Sequence, residues 1–245
     1  MRALLISDLH LTPLRPAIAK AFLSFLKKQA VFSRELYILG DFFEYWVGDD
    51  AMDPFHENIA RALKEYSSAG HTIYIMPGNR DFTIGQQFLK KAGAHWLKDP
   101  TLLTINGEKV LLLHGDSLCT EDSKYLRYRR VIRNPLIMAM LKLSPLSFRK
   151  KLCQKIQKDS SQAKTKKKMA IMDVTQNEVV RVMDHYNVNI MIHGHTHQPA
   201  IHNLHLSDQS LAKRYVLGDW QSKGWFIRTD NIPFALDSFD ISEDN

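Results

Sequence analysis

The chain has 245 residues, 44% of them hydrophobic and 24% charged, with a formal net charge of +7, the composition of an ordinary soluble globular protein. Two cysteines, Cys119 and Cys153, exclude a disulfide framework and any Cys-x-x-Cys metal site. No apolar run approaches the roughly 18 residues of a membrane-spanning helix, and MRALLISDLH meets Asp8 and His10 too early to be a signal peptide, so a reducing cytoplasm is expected.

In chain order, RALLI (2–6) reads as a buried strand, PAIAKAFLSFLKKQ (16–29) as a helix and ELYILG (35–40) as a second strand. PFHENIARALKEYSSAG (54–70) is predicted as a helix, with Asp53-Pro54 as its start signal and Gly70 as its stop. HTIYIM (71–76) is a third strand. LLTI (102–105), Asn106-Gly107 and KVLLLHGD (109–116) predict a hairpin, because Asn-Gly favours the two-residue turn. From about Asp122 to Met172 the pattern is helical, broken at Asn134-Pro135 and Ser144-Pro145. DVTQNEVVRVMDHY (173–186) is an amphipathic helix leading into VNIMIHG, and short strands follow near 200–205, 214–218, 223–229 and 233–238. Strands alternating with helices predict an α/β layered core, here one domain (1–245) with a helical insertion at 122–172 between its halves.

The charge is unevenly placed. Residues 123–172 hold 15 Lys or Arg against one acid, Asp159, about +14, which leaves about −7 for the remainder. Such a segment attracts polyanions: nucleic acid, an anionic lipid surface or a phosphorylated substrate.

Five predicted strands end in metal-ligand residues: Asp8 and His10, Asp41, Asn79, His114, then His195 and His197. Open α/β sheets place binding sites at such ends. Each signal alone marks a turn or a structural histidine; five in order point to one site. Carboxylates, imidazoles and an amide without thiolates suit Mn²⁺, Zn²⁺, Fe²⁺ or Mg²⁺. Seven ligands are too many for one small ion and enough for two that share a carboxylate.

These residues resemble the calcineurin-like metallophosphoesterase superfamily, through Asp8-Leu9-His10, Gly40-Asp41, Gly78-Asn79-Arg80, His114-Gly115 and Gly194-His195-Thr196-His197. The resemblance implies a four-layer α/β/β/α sandwich of two mixed sheets with an inserted helical lid. It implies one ion on Asp8, His10, Asp41 and His197, and a second on Asp41, Asn79, His114 and His195, with Asp41 bridging. Asn79, Arg80, His114 and His195 take the catalytic roles. His193 falls outside the pattern and is expected to be packed or hydrogen-bonded.

Phosphoprotein phosphatases of the superfamily carry a histidine where this chain has Arg80. A guanidinium keeps its proton and clamps phosphate without serving as an acid, which points to a leaving group needing little protonation, such as the phosphate of a pyrophosphate. PLIMAMLKLSPLSFRKKL (135–152) mixes methionine and leucine with bases and no acid, and reads as a lid that meets acyl chains and an anionic membrane rather than as a plain cover. Ser160, Lys164 and Lys167 share one helix face suited to phosphates, against the alternative of a solvated basic face.

DLHL, GDFFEYWVGDD, PGNRDF, LLLHGD, MIHGHTHQPA and YVLGDW together resemble the bacterial UDP-2,3-diacylglucosamine hydrolase family of lipid A biosynthesis. That resemblance implies a Mn²⁺-dependent enzyme, peripheral on the cytoplasmic face of the inner membrane, with a UDP-linked diacyl sugar lipid as substrate; a monomer is expected. It implies water attack at the α-phosphorus to give UMP and 2,3-diacylglucosamine 1-phosphate. Substrate contacts map onto Asn79, Arg80, Asp122, Ser160, Lys164, Lys167 and His195. A nuclease or cyclic-nucleotide phosphodiesterase is the rival reading, disfavoured because the basic segment lacks regularly interleaved aromatics, so no nucleic acid is expected. A scaffold that has lost its ligands is disfavoured by all seven being present. Asp116, His71 and His95 are left to structure.

Overall fold

The computed structural model describes residues 3–166 and 173–241, with the backbone alone from 157 to 166. Its first sheet is centred on β1 (Ala3–Ile6), β2 (Glu35–Leu39) and β3 (Thr72–Met76), which run parallel with Leu4 opposite Leu36 and Ile38 opposite Ile75. Both faces of these strands are covered, so they read as nearly unbroken apolar runs. Alternation then sorts the side chains. Leu4, Ile6, Leu36, Ile38, Ile73 and Ile75 face helices α1 (Pro16–Lys28), α2 (Pro54–Ser68) and α3 (Gln86–Ala92), while Leu5, Tyr37, Leu39 and Met76 face the second sheet. α2 is capped as expected: the Asp53 carboxylate accepts from His56 N at 3.1 Å and Pro54 opens the first turn.

The second sheet starts with the expected hairpin, β5 (Thr101–Ile105) and β6 (Glu108–Leu112), whose turn residues Asn106 and Gly107 both have positive φ, 51° and 85°. It continues through β7 (Ile190–His193), β9 (Leu211–Val216) and β8 (Ala200–His205). β10 (Lys223–Arg228) and β11 (Ala235–Asp240) return to the first sheet beside β1, and β4 (Ala94–Trp96) forms its other edge. Among the described residues the orders are β11-β10-β1-β2-β3-β4 and β5-β6-β7-β9-β8, each mixing parallel and antiparallel pairs. A core between the sheets, one beneath α1–α3 and one beneath α7 (Gln176–Tyr186) complete the expected α/β/β/α sandwich.

α3 and β4 are absent from the sequence expectation: at seven and three residues they are too short to show a period. The expected helix at 173–186 begins only at Gln176, and the expected strand at 214–218 is β9, which begins earlier, at Leu211, with Lys213 and Arg214 interrupting its apolar pattern. The insertion is three helices, α4 (Ser123–Ile132), α5 (Pro135–Leu143) and α6 (Leu146–Lys166), divided at the two expected prolines. Among the described residues, none of α4–α6 gives a side chain to the three apolar cores. β1, β2, β3, β6 and β7 all end toward one edge of the sandwich, so the loops that follow them meet there.

Candidate metal centre

Beyond β1 and β2 the chain continues as paired loops, with Asp8 N donating to Gly40 O at 3.1 Å and His10 N to Asp41 O at 2.9 Å. A third loop is tied in by Asp81. This fully buried carboxylate accepts from Phe42 N at 2.7 Å, Phe43 N at 3.3 Å and Gly78 N at 2.8 Å, so one side chain joins the ends of β2 and β3. Gly78 must be glycine, because a Cβ there would collide with the backbone nitrogen and carboxylate of Asp41.

Five of the seven expected ligands hold a left-handed backbone: Asp8 (φ 56°), His10 (49°), Asp41 (49°), His195 (69°) and His197 (58°). That region is disfavoured for residues with a Cβ, and its concentration at one edge is the mark of a functional site.

The structure brings all seven together. Asp8, His10 and His197 form one potential cation cluster; Asp8, Asp41 and His114 form a second. Asp8 is common to the two, whereas the resemblance expects Asp41 to be shared; Asp41 Oδ2 does lie 3.9 Å from His10 Nδ1 and its Oδ1 3.8 Å from His114 Nε2. Asn79 Oδ1 sits 2.9 Å from His114 Nε2 and 2.9 Å from His195 Nδ1.

The hydrogen bonds argue for a cation. His114 Nδ1 lies 2.9 Å from Leu39 O, which fixes a proton on Nδ1 and turns Nε2 toward Asn79 Oδ1. Against the cost of burial, Asp41, Asp8 and Asp116 raise His114, so without a metal Nε2 carries a proton that an ion would displace. Asp8 Oδ1 and His10 Nδ1 are buried with no hydrogen-bond partner. Orphaned groups of this kind are costly unless something positive meets them. Oxygen and imidazole donors without thiolates fit a borderline divalent ion.

The ionisation pattern agrees. Burial and the neighbouring His114 push His195 down to about 3, and burial with Arg80 nearby pushes His10 well below its usual value, so both imidazoles are neutral. Burial raises Asp41 to about 6, despite His114 and Arg80. Against the cost of burial, the neighbouring carboxylates of Asp219 and Asp8 raise His197 to about 10. Asp219 Oδ2 is 3.2 Å from His197 Nδ1, the carboxylate–histidine arrangement that orients metal ligands.

Arg80 stands at the rim. Its backbone N–H donates to Asp41 Oδ1 at 2.9 Å, its Nη1 bonds Glu44, its Nε is 3.6 Å from Asp41 Oδ2, and its guanidinium lies 5.4 Å from the Tyr45 ring centroid. A cavity of about 450 Å³ opens from Asn79, Arg80 and His195 to Ile132, Leu141 and Leu152 of the inserted helices. Asp122 lines it and caps α4, accepting from Tyr125 N at 3.2 Å. Ser160 and Lys164 fall on the backbone of α6, beyond the described side chains, and Lys167 lies outside the described residues.

His193 is buried, its Nδ1 2.8 Å from Gly194 O and its Nε2 3.3 Å from Arg214 Nη1, which is the packed role expected. His71 is structural too: it bonds Ser33 O at 2.7 Å and stacks on Tyr66. His95, on β4, lies beside Tyr74 at a ring separation of 5.6 Å. Sequence reasoning missed Asp81, Asp219 and Glu44, although PGNRDF, YVLGDW and GDFFEYWVGDD contain them.

The profile of the family described as calcineurin-like phosphoesterase matches residues 1–199. Proteins named UDP-2,3-diacylglucosamine hydrolase from Pseudomonas fluorescens (strain SBW25) and Pseudomonas syringae pv. tomato (strain DC3000) are each 52% identical over 238 residues, 97% of this chain and 95% and 96% of theirs. A solved archaeal phosphodiesterase aligns at 13% identity with a TM-score of 0.47, covering 98% of this chain and 99% of that one, a likeness too low to carry an argument.

Proposed function

The chain belongs to the calcineurin-like phosphoesterase family, and from that premise we propose that it hydrolyses the pyrophosphate of UDP-2,3-diacylglucosamine in lipid A biosynthesis. The products are UMP and 2,3-diacylglucosamine 1-phosphate, from water attack at the α-phosphorus. The observation that carries this reading is the 52% identity, along 97% of the chain, to relatives of that name.

In this reading Asp8, His10, Asp41 and His197 hold one divalent ion, and Asp41, Asn79, His114 and His195 the other, with Mn²⁺ the metal. When bound, the two ions supply an activated water and stabilise charge on phosphoryl oxygens. The protein's own groups do the rest. His114 keeps its proton on Nδ1 against Leu39 O, presenting Nε2 inward. Arg80, held by Glu44 and Asp41, grips a phosphoryl oxygen and keeps its proton throughout. With no acid at that position, the reaction favours a leaving group that departs as an anion, which the sugar 1-phosphate does. Neutral His195 and Asn79 border the cavity where the substrate's phosphates lie, and the apolar lid wall receives the acyl chains. Asp122, Ser160, Lys164 and Lys167 complete the substrate contacts.

The molecule works as a monomeric single domain with 122–172 as its lid. Among the described residues no helix is long and apolar enough to cross a membrane. On the lid, Leu136, Met140 and Leu143 are 76%, 71% and 88% exposed, with Lys142, Lys150 and Lys151 exposed nearby. Apolar tips set among bases suit a peripheral contact with the anionic inner membrane.

The test incubates pure protein with UDP-2,3-diacylglucosamine and Mn²⁺, alongside an EDTA-treated control and Asp41→Ala. UMP and the monophosphorylated lipid are expected in equal amounts, and in neither control. Hydrolysis of bis(p-nitrophenyl) phosphate without turnover of the lipid would keep the metal site and sink the substrate.

A further inference from the structure

Tyr125, Arg129 and Arg133 are spaced four residues apart, so they form a single stripe along α4 and its C-cap. The stripe meets two carboxylates of the sandwich, Asp99 and Asp116, both buried. Tyr125 OH donates to Asp116. Arg129 donates from Nε to Asp116 at 2.7 Å and from Nη2 to Asp99 at 2.9 Å. Arg133 donates from Nη1 to Asp99 at 3.2 Å and from Nη2 to Asp116 at 3.4 Å. Two guanidiniums balance two carboxylates, and burial is offset by Arg133, His114 and Arg129 in holding Asp116 well below the usual carboxylate range.

The cluster does more than fasten a helix. Arg133 Nη2 also donates to Gly78 O at 2.9 Å, the peptide that leads into Asn79. Asp99, through its other oxygen, accepts from the backbone N–H of His114 at 3.3 Å. Asn79 and His114 face each other 2.9 Å apart, side chain to side chain. Both therefore have an adjoining backbone group tied into the ionic cluster of the lid. The second ionic foot of the lid is different: Arg149 pairs with Asp50 and donates to Val47 O at 2.8 Å, touching neither loop. An isolated buried ion pair adds little stability over apolar packing, but it fixes one geometry.

We propose that Arg133 is a positioning residue that sets the Asn79–His114 half of the metal centre from the lid, so that docking of α4 and metal binding are linked. This rests on the reading that Asn79 and His114 hold an ion. Linkage is reciprocal: whatever factor docking adds to ion affinity, the ion returns to docking.

The full-length chain, stripped of metal, is titrated with Mn²⁺ by calorimetry, and amide hydrogen exchange across 126–133 is followed with and without Mn²⁺. Arg133→Gln is expected to weaken one of two binding events about tenfold or more and to leave the other unchanged, the usual range for removing an outer partner of a ligand. Arg133→Lys recovers part of the loss, since an ammonium cannot reach Gly78 O and both carboxylates together. Arg149→Gln leaves both affinities unchanged. Mn²⁺ protects the α4 amides in the wild type and loses that effect in Arg133→Gln. The double variant Arg133→Gln/Asp99→Asn, which leaves no buried charge unpaired, gives the same answer should the single variant fold poorly. Unchanged affinities in the Arg133 variants, or an equal loss in Arg149→Gln, would overturn the proposal. A wild type that binds fewer than two ions would instead overturn the two-ion reading beneath it.

Discussion

The Nε2 atoms of His10 and His197 face each other at 3.3 Å, and the remaining ring nitrogen of His10 is buried without a partner. Two imidazoles at that distance share one proton, and their surroundings assign it. Burial and Arg80 keep His10 neutral, whereas Asp219 and Asp8 raise His197 to about 10 against the cost of burial. In the metal-free protein His197 is therefore the cation at neutral pH. Its folded value lies above its unfolded one, so its stabilising effect is full below the unfolded value and is lost as pH rises through about 10.

A ligating imidazole must give that proton up. Mn²⁺ binding near neutral pH is expected to release a proton from His197, and apparent affinity to rise with pH toward about 10. Calorimetric titrations in buffers of different ionisation enthalpy measure the release directly. An observed enthalpy that ignores the buffer would remove His197 from the ligand set.

Asp219 orients the same imidazole from behind, at 3.2 Å. Asp219→Asn keeps the shape and removes the charge. Mn²⁺ affinity is expected to fall by roughly 10- to 100-fold, with less proton released because His197 is no longer so basic. Equilibrium dialysis gives the affinity; an unchanged value would make Asp219 a bystander.

What could be read in the chain beforehand follows from periodicity and local chemistry. β1, β2, β3 and β7 were legible because burial on both faces makes them continuous apolar runs, and each stops where a ligand begins. The hairpin was legible because Asn106-Gly107 accepts positive φ at both positions. Asp219 and Asp81 were not. Each acts on a partner distant in sequence or on several backbone amides at once, and nothing local distinguishes such a carboxylate from a solvated one. The Tyr125–Arg129–Arg133 stripe went unread, because its meaning lies in Asp99 and Asp116 of the sandwich that α4 meets. His193 was correctly set apart: one imidazole nitrogen is used by Gly194 O and the other by Arg214, leaving nothing for a metal.

Arg80 is aimed by three groups, Asp41, Glu44 and the Tyr45 ring. A lysine keeps the charge and loses the planar fork. Arg80→Lys is expected to lower kcat/KM for the UDP-lipid by about 10²-fold, within the range for removing one charge-stabilising donor. Its pH profile should keep its shape, because neither side chain exchanges its proton at working pH. Steady-state kinetics across pH checks both parts. An alkaline limb in the wild-type profile that shifts or disappears in the lysine variant would mean that Arg80 donates a proton after all.

The proposed membrane contact falls on α5, apart from the metal centre. Leu136, Met140 and Leu143 are exposed and are not part of the cavity wall, which uses Leu141 from the same helix. Burying each in a lipid interface contributes about 1.5–3 kcal/mol, and each nearby lysine adds roughly 1 kcal/mol at an anionic surface. Changing all three to glutamate removes the apolar term and reverses the local charge. Sedimentation with anionic vesicles should therefore show binding lost in the triple variant and weakened by salt in the wild type. Hydrolysis of a small soluble phosphodiester should be unaffected, since α5 gives nothing to the three apolar cores. Undiminished vesicle binding by the variant would move the contact elsewhere on the molecule. Loss of soluble-diester hydrolysis would mean that α5 supports the metal centre itself, and that the lid is not divided between Arg133 at its base and a membrane face at its tip.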